Sequence, residues 1–336
     1  MDILNMTKAR FAFVFPGQGS QYVGMGRQLY EHSDAAKHIF ERADDVLGFS
    51  LSTLCFEGPQ VELDDTINAQ PAILTVSIAC LETLNEQFGH AGKVLAPMLV
   101  AGHSVGEFTA LVAAGVLDFE DALKLVRERG RLMKASGEQY PGGMAAVVGL
   151  DTEALREVCN EAQAAGIVTL ANDNSPGQTV LSGELSALQH AMDLAKGRGA
   201  KLVQRLAVSI AAHSPLMQQA AQHFSETVRQ FNLRPPKIPL LSNITAQALT
   251  SVDELRQELS DHLVRPVQWT RSVQNAMSEG VDTFVEIGPR QVLSGLIRRI
   301  SRNVHSISLS EVEIIKVLGQ FQQQAESEEQ ETEMLA

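Results

Sequence analysis

Two short apolar runs mark the first strands of the chain. Phe11-Ala12-Phe13-Val14-Phe15 is apolar at every position and is stopped by Pro16-Gly17, and Met98 to Ala101 forms a second such run. Strands that are apolar throughout are typical of parallel sheets, which helices cover on both faces. Helix patterns lie nearby: Asn68-Ala69-Gln70-Pro71 opens one, and Asp118 is expected to cap another that runs to about Lys134. The alternation predicts α/β organisation with a mostly parallel sheet.

From about residue 142 the pattern changes to short strands and helices in a different order. The order is strand, helix, strand, strand, helix, strand over about seventy residues, which is the ferredoxin-like arrangement. The predicted strands are 144–150, 167–171, 179–182 and 201–208, and the predicted helices are 151–165 and 186–196. An α/β pattern resumes with a helix at 215–229 and a strand at 283–287. The ferredoxin-like unit is therefore predicted to be an insertion in the larger domain.

The predicted organisation has four parts. An α/β-hydrolase-like core with a parallel sheet occupies 1–139 and 209–310, the ferredoxin-like small subdomain occupies 140–208, and an acidic tail occupies 311–336. The tail contains seven Glu and one Lys, and its last part is nearly all Gln and Glu, so it is predicted to be disordered. A binding site is expected in the cleft between the core and the inserted unit.

Composition narrows the classes of function. With 336 residues, of which 44% are hydrophobic and 20% charged, the chain can bury a large core. The net charge of −13 argues against a general nucleic-acid role. The sequence lacks a long apolar run and a secretory pattern at its beginning, so no membrane span and no export are expected. Three isolated cysteines favour a reducing, cytoplasmic location and no metal site.

The segment Gly102-His103-Ser104-Val105-Gly106 lies between the second apolar run and a helix pattern. A serine at a strand-to-helix turn has strained backbone angles and needs residues without bulk two positions before and after it. Its hydroxyl then points out of the sheet, and the N–H of Val105 faces the place where an oxyanion would form. Ser104 is the candidate nucleophile, and the alternative is a buried serine in a tight glycine-rich turn.

A serine nucleophile needs a base that takes its proton, and His213 is the best placed of nine histidines. Ser214 and Pro215 form a helix cap and a first helical position, which leaves His213 in a loop that can reach a cleft. The alternative is a structural role at the cap. His103 is expected to be directed away by the turn. The remaining histidines are expected at the surface: His32, His38, His90, His190, His223, His262 and His305. No carboxylate stands out as a triad partner, so a Ser-His dyad is at least as well supported.

Arg129 lies on the helix that follows Asp118, about 20° beyond the edge of an apolar stripe. A cation at the border of a buried stripe must find an anion, and the planar guanidinium donates two parallel hydrogen bonds to a carboxylate. On the residues alone, a structural role is favoured over ligand binding: Arg129 would extend to solvent or pair with a protein acid such as Glu107.

The loop 16–21 follows the first strand, as a dinucleotide-binding loop would. In the dinucleotide-binding fingerprint, Gly17 and Gly19 would be followed by a third glycine at position 22, where this chain has Tyr22. The fingerprint also has an acidic residue at the end of a second strand, and no such strand and residue are identified here. A non-catalytic nucleotide-binding module therefore fits only this loop. The backbone N–H of Gln18 can instead serve as a second oxyanion donor beside Val105.

These segments together resemble the malonyl-CoA:acyl carrier protein transacylases, within the acyltransferase family of fatty acid and polyketide synthesis. The similarity runs from about residue 11 to 300 and rests on several ordered motifs. They are Phe15-Pro16-Gly17-Gln18-Gly19-Ser20-Gln21, Gln70-Pro71-Ala72, Gly102-His103-Ser104-Val105-Gly106-Glu107, Arg129-Gly130, Asn174-Ser175-Pro176-Gly177-Gln178, His213-Ser214, Pro266-Val267-Gln268-Trp269 and Glu286-Ile287-Gly288-Pro289.

The resemblance implies a covalent acyl-transfer mechanism. It implies that Ser104 is acylated, that His213 is the base, and that Arg129 holds the free carboxylate of malonyl, which reverses the structural expectation for Arg129. The N–H groups of Gln18 and Val105 would form the oxyanion hole. The partners would be malonyl-CoA and acyl carrier protein, with no resident cofactor, since the CoA thioester is a substrate.

The resemblance also implies roles around these groups. The main-chain carbonyl of Gln268 would orient His213, and Gln70, Asn174 and Ala212 would belong to the pocket. Ala212 departs from relatives that often carry Phe or Ser at this place. The small side chain leaves room near the acyl α-carbon, so methylmalonyl is not strictly excluded.

Besides the nucleotide-binding module, two alternatives stay open beside malonyl transfer for fatty acid or polyketide synthesis. A serine hydrolase or thioesterase would share Ser104 and His213 but has no use for Arg129 beside the acyl group. A trans-acting polyketide acyltransferase with relaxed extender choice would share the whole site.

Carrier proteins are acidic, so a local basic patch is expected on the enzyme. Its candidates, which are otherwise simply solvated residues, are Lys196, Arg198, Lys201, Arg290, Arg298, Arg299 and Arg302.

Overall fold

Two β-sheets organise residues 10–317, the part of the chain that this computed structural model describes. The strands of that part are β1 (Phe11–Phe15), β2 (Leu99–Gly102), β3 (Gly142–Val148), β4 (Val168–Ser175), β5 (Gln178–Glu184), β6 (Leu202–Arg205), β7 (Leu240–Leu241), β8 (Ala248–Leu249), β9 (Thr283–Ile287) and β10 (His305–Leu309).

Helices account for most of the remaining described residues. They are α1 (Arg27–His32), α2 (Asp34–Leu47), α3 (Leu51–Glu57), α4 (Gln60–Leu63), α5 (Thr66–His90), α6 (Gly106–Ala113), α7 (Phe119–Gln139), α8 (Thr152–Ala162), α9 (Leu185–Gly197), α10 (Gln218–Val228), α11 (Val252–Asp261), α12 (Trp269–Ser278) and α13 (Val292–Ile300). Short 3-10 turns precede α10 and follow α8.

The larger sheet has the order β10-β9-β1-β2-β7-β8. Its neighbouring strands are parallel except for β8, which pairs antiparallel with β7 at one edge. Every residue of β1, β2 and β9 is buried, because helices cover both faces. The predicted parallel α/β core and the strand at Phe11–Phe15 are confirmed.

Helix α5 runs through the core of the larger subdomain. It begins at Thr66, earlier than the motif around Pro71 predicts, because Asp65 accepts a hydrogen bond from the N–H of Ile67 and caps it. By length and composition α5 could cross a membrane, but 83% of its most apolar window is buried inside the protein. This burial is that of a core helix, and it positions the polar side chain of Gln70 in the interior.

The smaller sheet has the order β4-β5-β3-β6 and is antiparallel throughout. Helices α8 and α9 pack on it through an apolar cluster that includes Leu155, Val158 and Leu188. The chain order β3-α8-β4-β5-α9-β6 confirms the predicted ferredoxin-like unit, which spans 142–205 and is inserted after α7.

The end of β4 is fastened to the larger subdomain. The N–H of Val267 donates to the carbonyl of Ala171, and the N–H of Asp173 donates to the carbonyl of Val267, both at 2.9 Å. The hydroxyl of Thr270 also donates to the Asp173 carboxylate at 2.8 Å. These bonds hold the two walls of the intervening cleft in one arrangement.

Two local expectations are wrong. The Asp118 side chain does not cap α7, although α7 begins directly after it; the carboxylate instead pairs with Arg234 at 2.8 Å.

The acidic tail predicted from residue 311 does not begin there, since residues 311–317 are helical and Ile314 is fully buried. Glu311 accepts hydrogen bonds from the Tyr22 hydroxyl at 2.9 Å and the Gly26 N–H at 2.7 Å. The rest of the predicted tail lies outside the described residues.

Candidate functional site

The nucleophile turn joins β2 to α6 at the carboxyl edge of the parallel sheet. Ser104 has φ = 52°, a left-handed conformation that is rare for residues other than glycine. A Cβ on Gly102 would lie 2.0 Å from the carbonyl oxygen of Gly106, and one on Gly106 would lie 2.2 Å from that of Phe15. The two glycines are therefore required by close backbone approach, and the turn presents the Ser104 hydroxyl to the cleft.

His213 lies opposite Ser104 and also has a left-handed backbone, with φ = 56°. Its Nε2 is 2.8 Å from Ser104 Oγ, and its Nδ1 is 3.0 Å from the carbonyl oxygen of Arg265. A carbonyl oxygen only accepts, so Nδ1 carries the ring proton and Nε2 is free to accept the proton of the serine. The pair is a dyad whose base is oriented by the backbone.

The prediction that the Gln268 carbonyl orients His213 is wrong. The carbonyl in contact with the ring belongs to Arg265, three positions earlier. The Gln268 carbonyl is engaged at the start of α12, where it accepts from the N–H of Ser272 at 2.9 Å. A backbone acceptor carries no side-chain signature, so only the path of the loop decides which carbonyl reaches the ring.

The environment of His213 favours its neutral form. Burial lowers the pKa of its imidazole well below the ordinary value, and the nearby His262 and Arg129 lower it further. At neutral pH the ring is therefore a proton acceptor. The Ser104 oxygen also accepts from Arg129 Nη2 at 3.2 Å, so negative charge that develops on this oxygen meets a cation.

Arg129 reaches the same point from α7 and is 1% exposed. Its Nη1 donates to Gln70 Oε1 at 2.7 Å, and its Nη2 lies 3.2 Å from His262 Nδ1. Within residues 10–317, no carboxylate forms a salt bridge with Arg129, and Glu107 lies beyond His262. Burial lowers the pKa of the guanidinium to about 9, an effect that Glu107 opposes. The site thus contains a buried cation whose direct contacts are neutral acceptors.

The expected oxyanion donors lie on facing loops. A Cβ on Gly17 would lie 2.5 Å from the carbonyl oxygen of His103, so the loop after β1 presses directly against the nucleophile turn. The Gln18 side chain is held by the hydroxyl of Thr66 at 3.0 Å. Among the described residues, no acceptor is bonded to the N–H of Gln18 or of Val105. Both residues line the cleft, so their N–H groups are available to a bound oxyanion.

Two polar residues of the site, Asn243 and His262, were not identified from the sequence. Asn243 accepts from the N–H of Ser104 at 2.8 Å and donates to the carbonyl of Gly102 at 2.7 Å, which clamps the turn on both sides. His262, expected at the surface, is 1% exposed and contacts Arg129. The spacing of Leu255, Leu259 and His262 continues the buried face of α11, and that signal would have placed it inside.

The cleft encloses a cavity of about 480 Å³ between the two subdomains. It is lined by Gln18, Ser104, Arg129, Ala212 and His213 from the larger subdomain and by residues of the smaller one. Asn174 also lines it, and its Oδ1 lies 2.8 Å from His103 Nε2. Gln70, expected in the pocket, is instead fully buried behind Arg129 and supports it from there.

Comparison with known proteins agrees with this geometry. The family model described as an acyl transferase domain matches residues 12–335. The chain is similar to the malonyl CoA-acyl carrier protein transacylase of Bacillus subtilis, with 44% identity over 92% of this chain and 96% of that protein. The corresponding protein of Haemophilus influenzae is 40% identical over 93% of this chain and 99% of its own length.

Solved structures show the same likeness. The acyl carrier protein S-malonyltransferase of Vibrio cholerae superposes with a TM-score of 0.86 at 37% identity, covering 92% of this chain and all of that one. A malonyl-transacylase in complex with its holo type II PKS acyl-carrier protein has a TM-score of 0.87 at 38% identity and covers 93% of this chain.

The reactivity of Ser104 is expected to follow the protonation of His213. Phenylmethanesulfonyl fluoride should label Ser104 at a rate that stays level from about pH 8 to about pH 6.5 and falls only below that range, since the pKa of His213 is lowered. Intact mass spectrometry of timed samples measures the rate, with Ser104→Ala and His213→Ala as controls. A midpoint at or above the ordinary histidine value would contradict a buried, neutral base.

Proposed function

Because the chain belongs to the acyl transferase family, we propose that it transfers malonyl from malonyl-CoA to the phosphopantetheine thiol of an acyl carrier protein. The reaction serves fatty acid or polyketide synthesis. The observation that carries the proposal is the buried Arg129 guanidinium beside Ser104 Oγ, at 3.2 Å, with no carboxylate from residues 10–317 in contact with it. A dicarboxylic acyl group on Ser104 brings the missing anion.

In the first half-reaction, Ser104 Oγ attacks the thioester carbonyl while its proton passes to His213 Nε2. The negative charge moves to the carbonyl oxygen, where the N–H groups of Gln18 and Val105 stabilise it. The C–S bond then breaks, and the CoA sulfur leaves with the proton from His213. The product is a malonyl ester on Ser104 and free CoA.

The second half-reaction runs the same steps with the other thiol. The phosphopantetheine thiol gives its proton to His213, and its sulfur attacks the ester carbonyl. The C–O bond to Ser104 breaks, and the serine oxygen recovers the proton from His213. Each half-reaction exchanges an acyl group between oxygen and sulfur, so the chemistry needs no resident metal or redox cofactor.

The role of Arg129 is to hold the free carboxylate of malonyl throughout both steps. Two parallel N–H groups of a guanidinium match the two oxygens of a carboxylate. An acetyl group would leave the buried cation unpaired, which costs several kcal/mol. A thioesterase acting on simple acyl groups would have no use for such a cation, so malonyl transfer is favoured over hydrolysis.

Two finer proposals concern selectivity and location. Ala212 lines the cavity beside His213, and its small side chain leaves space for an α-methyl group, which favours relaxed extender choice.

A cytoplasmic location is supported by the buried free thiols of Cys55, Cys80 and Cys159, since unpaired cysteines suit a reducing compartment.

The basic residues sort into two groups on the surface. Lys196 and Arg198 pair with acids on α8 and α9 and are largely neutralised. By contrast, Lys201 on the small subdomain and four arginines at or near α13 form no salt bridge within the described range; the arginines are Arg290, Arg298, Arg299 and Arg302. Helix α13 starts at the cavity rim, where Val292 and Leu296 line the opening. We place the docking surface of the acidic carrier protein on this helix.

The central reaction is tested by mixing the protein with malonyl-CoA and following Ser104 by intact mass spectrometry. A malonyl adduct should form on the wild type and disappear on addition of holo-carrier protein faster than in buffer, with Ser104→Ala giving none. Methylmalonyl-CoA and acetyl-CoA in parallel samples measure extender choice. Discharge to water at the same rate as to the thiol would assign the protein to the hydrolases.

Substitution of Arg129 tests the dicarboxyl-specific step. Arg129→Ala should lower kcat/KM for malonyl-CoA by roughly 10²- to 10³-fold, because an ion pair worth about 3–5 kcal/mol is lost. Acetyl-CoA transfer should stay level or rise. Arg131→Ala, an exposed position on the same helix, serves as the control. Equal losses with both substrates would make Arg129 a structural residue.

The docking surface is tested by charge reversal on α13. Arg298→Glu with Arg299→Glu should raise KM for the carrier protein by about tenfold and weaken its salt dependence. Formation of the malonyl adduct from CoA should be unchanged. Lys196→Glu, on the outer helix of the small subdomain, is the matched control. A parallel loss of adduct formation would assign these arginines to CoA instead of the carrier protein.

A further inference from the structure

A buried polar chain lies behind Arg129, and the transfer steps above do not use it. It consists of His262 and Glu107, each 1% exposed, with Glu258 next to them. His262 Nδ1 lies 3.2 Å from Arg129 Nη2, and His262 Nε2 lies 2.8 Å from Glu107 Oε2. Burying three ionisable groups costs free energy that apolar residues of the same volume would not cost. A role other than packing is therefore expected for these groups.

The contacts set one protonation state for His262. A guanidinium N–H only donates, so His262 Nδ1 must accept, and the single ring proton is on Nε2, toward Glu107. Burial and the charge of Arg129 lower the pKa of the ring well below its ordinary value, which keeps it neutral. The imidazole is therefore a neutral acceptor placed between a cation and a carboxyl group.

The carboxyl group behind the ring is kept at a distance from the guanidinium. Burial raises the pKa of both Glu107 and Glu258, and repulsion from Glu107 raises that of Glu258 further. Glu258 is held by the Ser242 hydroxyl at 2.5 Å and the Ile244 N–H at 3.1 Å. Burial therefore favours the protonated form of both carboxyl groups near neutral pH, and Arg129 lowers the pKa of Glu107, the member nearer to it.

The His262 ring between Arg129 and Glu107 keeps a protein carboxylate away from the guanidinium. A carboxylate in direct contact would take two parallel N–H groups and compete with the carboxylate of the substrate. The His262 ring takes one N–H and leaves the positive charge uncompensated at the cleft. When Glu107 is ionised, its charge stabilises the cation from the far side of the ring.

The ring also supplies a contact that does not change during the reaction. Arg129 has three acceptors, and one of them, Ser104 Oγ, alternates between hydroxyl and ester in each cycle. Gln70 and His262 are the two constant ones. We propose that His262, held in place by Glu107, is a positioning residue that fixes the guanidinium plane of Arg129 for the malonyl carboxylate. This inference rests on the proposed function.

Two substitutions of the ring separate positioning from packing. His262→Phe retains an aromatic ring against Phe108 but has no acceptor, whereas His262→Asn is smaller and retains an acceptor near the Nδ1 position. His262→Phe should lower kcat/KM for malonyl-CoA by about 10- to 100-fold, mainly through KM, because a charged donor loses its buried acceptor. Acetyl-CoA transfer should fall by at least about fivefold less than malonyl transfer, since acetyl has no carboxylate for the fork of Arg129 and uses only the contact of Arg129 with Ser104 Oγ.

The rescue and the second variant complete the test. His262→Asn should recover malonyl transfer to within about threefold of the wild type despite its poorer packing. Glu107→Gln should lower kcat/KM for malonyl-CoA less than His262→Phe does, and it should again affect malonyl more than acetyl. If His262→Phe does not fold, Glu107→Gln alone tests the positioning role. Thermal unfolding of every variant is recorded alongside.

Equal changes for malonyl and acetyl, or a loss in His262→Asn as deep as in His262→Phe, would overturn the positioning role. The malonyl adduct on wild-type Ser104 distinguishes this result from a failure of the proposed function. If the wild type forms that adduct and passes it to the carrier thiol while the ratio of malonyl to acetyl is unmoved in the variants, only the role of His262 is refuted.

Discussion

The centre of the site depends on one constraint, which is the cost of burying the Arg129 guanidinium with no anion of the described chain in contact with it. A buried cation is stable only where its N–H groups meet acceptors. Those acceptors come from three separate places, namely Gln70 on α5, Ser104 on the nucleophile turn and His262 after α11. The packing of these elements around α7 supports the charge, which is then available to the substrate carboxylate that we propose Arg129 binds.

The orientation of His213 by a backbone carbonyl also keeps the charge of Arg129 uncompensated. A carboxylate partner, as in a Ser-His-Asp triad, would bring a second anion close to Arg129 and reduce the charge offered to the substrate. The Arg265 carbonyl fixes the tautomer of the ring with a neutral group. In the proposed mechanism, the activation of Ser104 therefore does not weaken the recognition of the substrate carboxylate by Arg129, although the two groups are in contact.

The sequence predicted those features that have a local cause. The all-apolar run at Phe11–Phe15, the glycines around Ser104 and the edge position of Arg129 each follow from a short stretch of chain. The Arg265 carbonyl and the Asn243 clamp depend on how distant loops meet, so no pattern near Ser104 or His213 announces them. At residues 311–317 the acidic composition concealed an apolar face that includes Ile314.

The cavity between the two subdomains bears on the direction of the reaction. At about 480 Å³, it is of the size that holds one drug-sized ligand, so the two thiol carriers occupy it in turn. Both half-reactions exchange a thioester for an ester and back, so the two thioester bonds that are exchanged have nearly the same free energy. The site accelerates forward and reverse exchange alike. Net flux is then governed by mass action: the pool of acylated carrier rises or falls with the ratio of malonyl-CoA to free CoA around the enzyme.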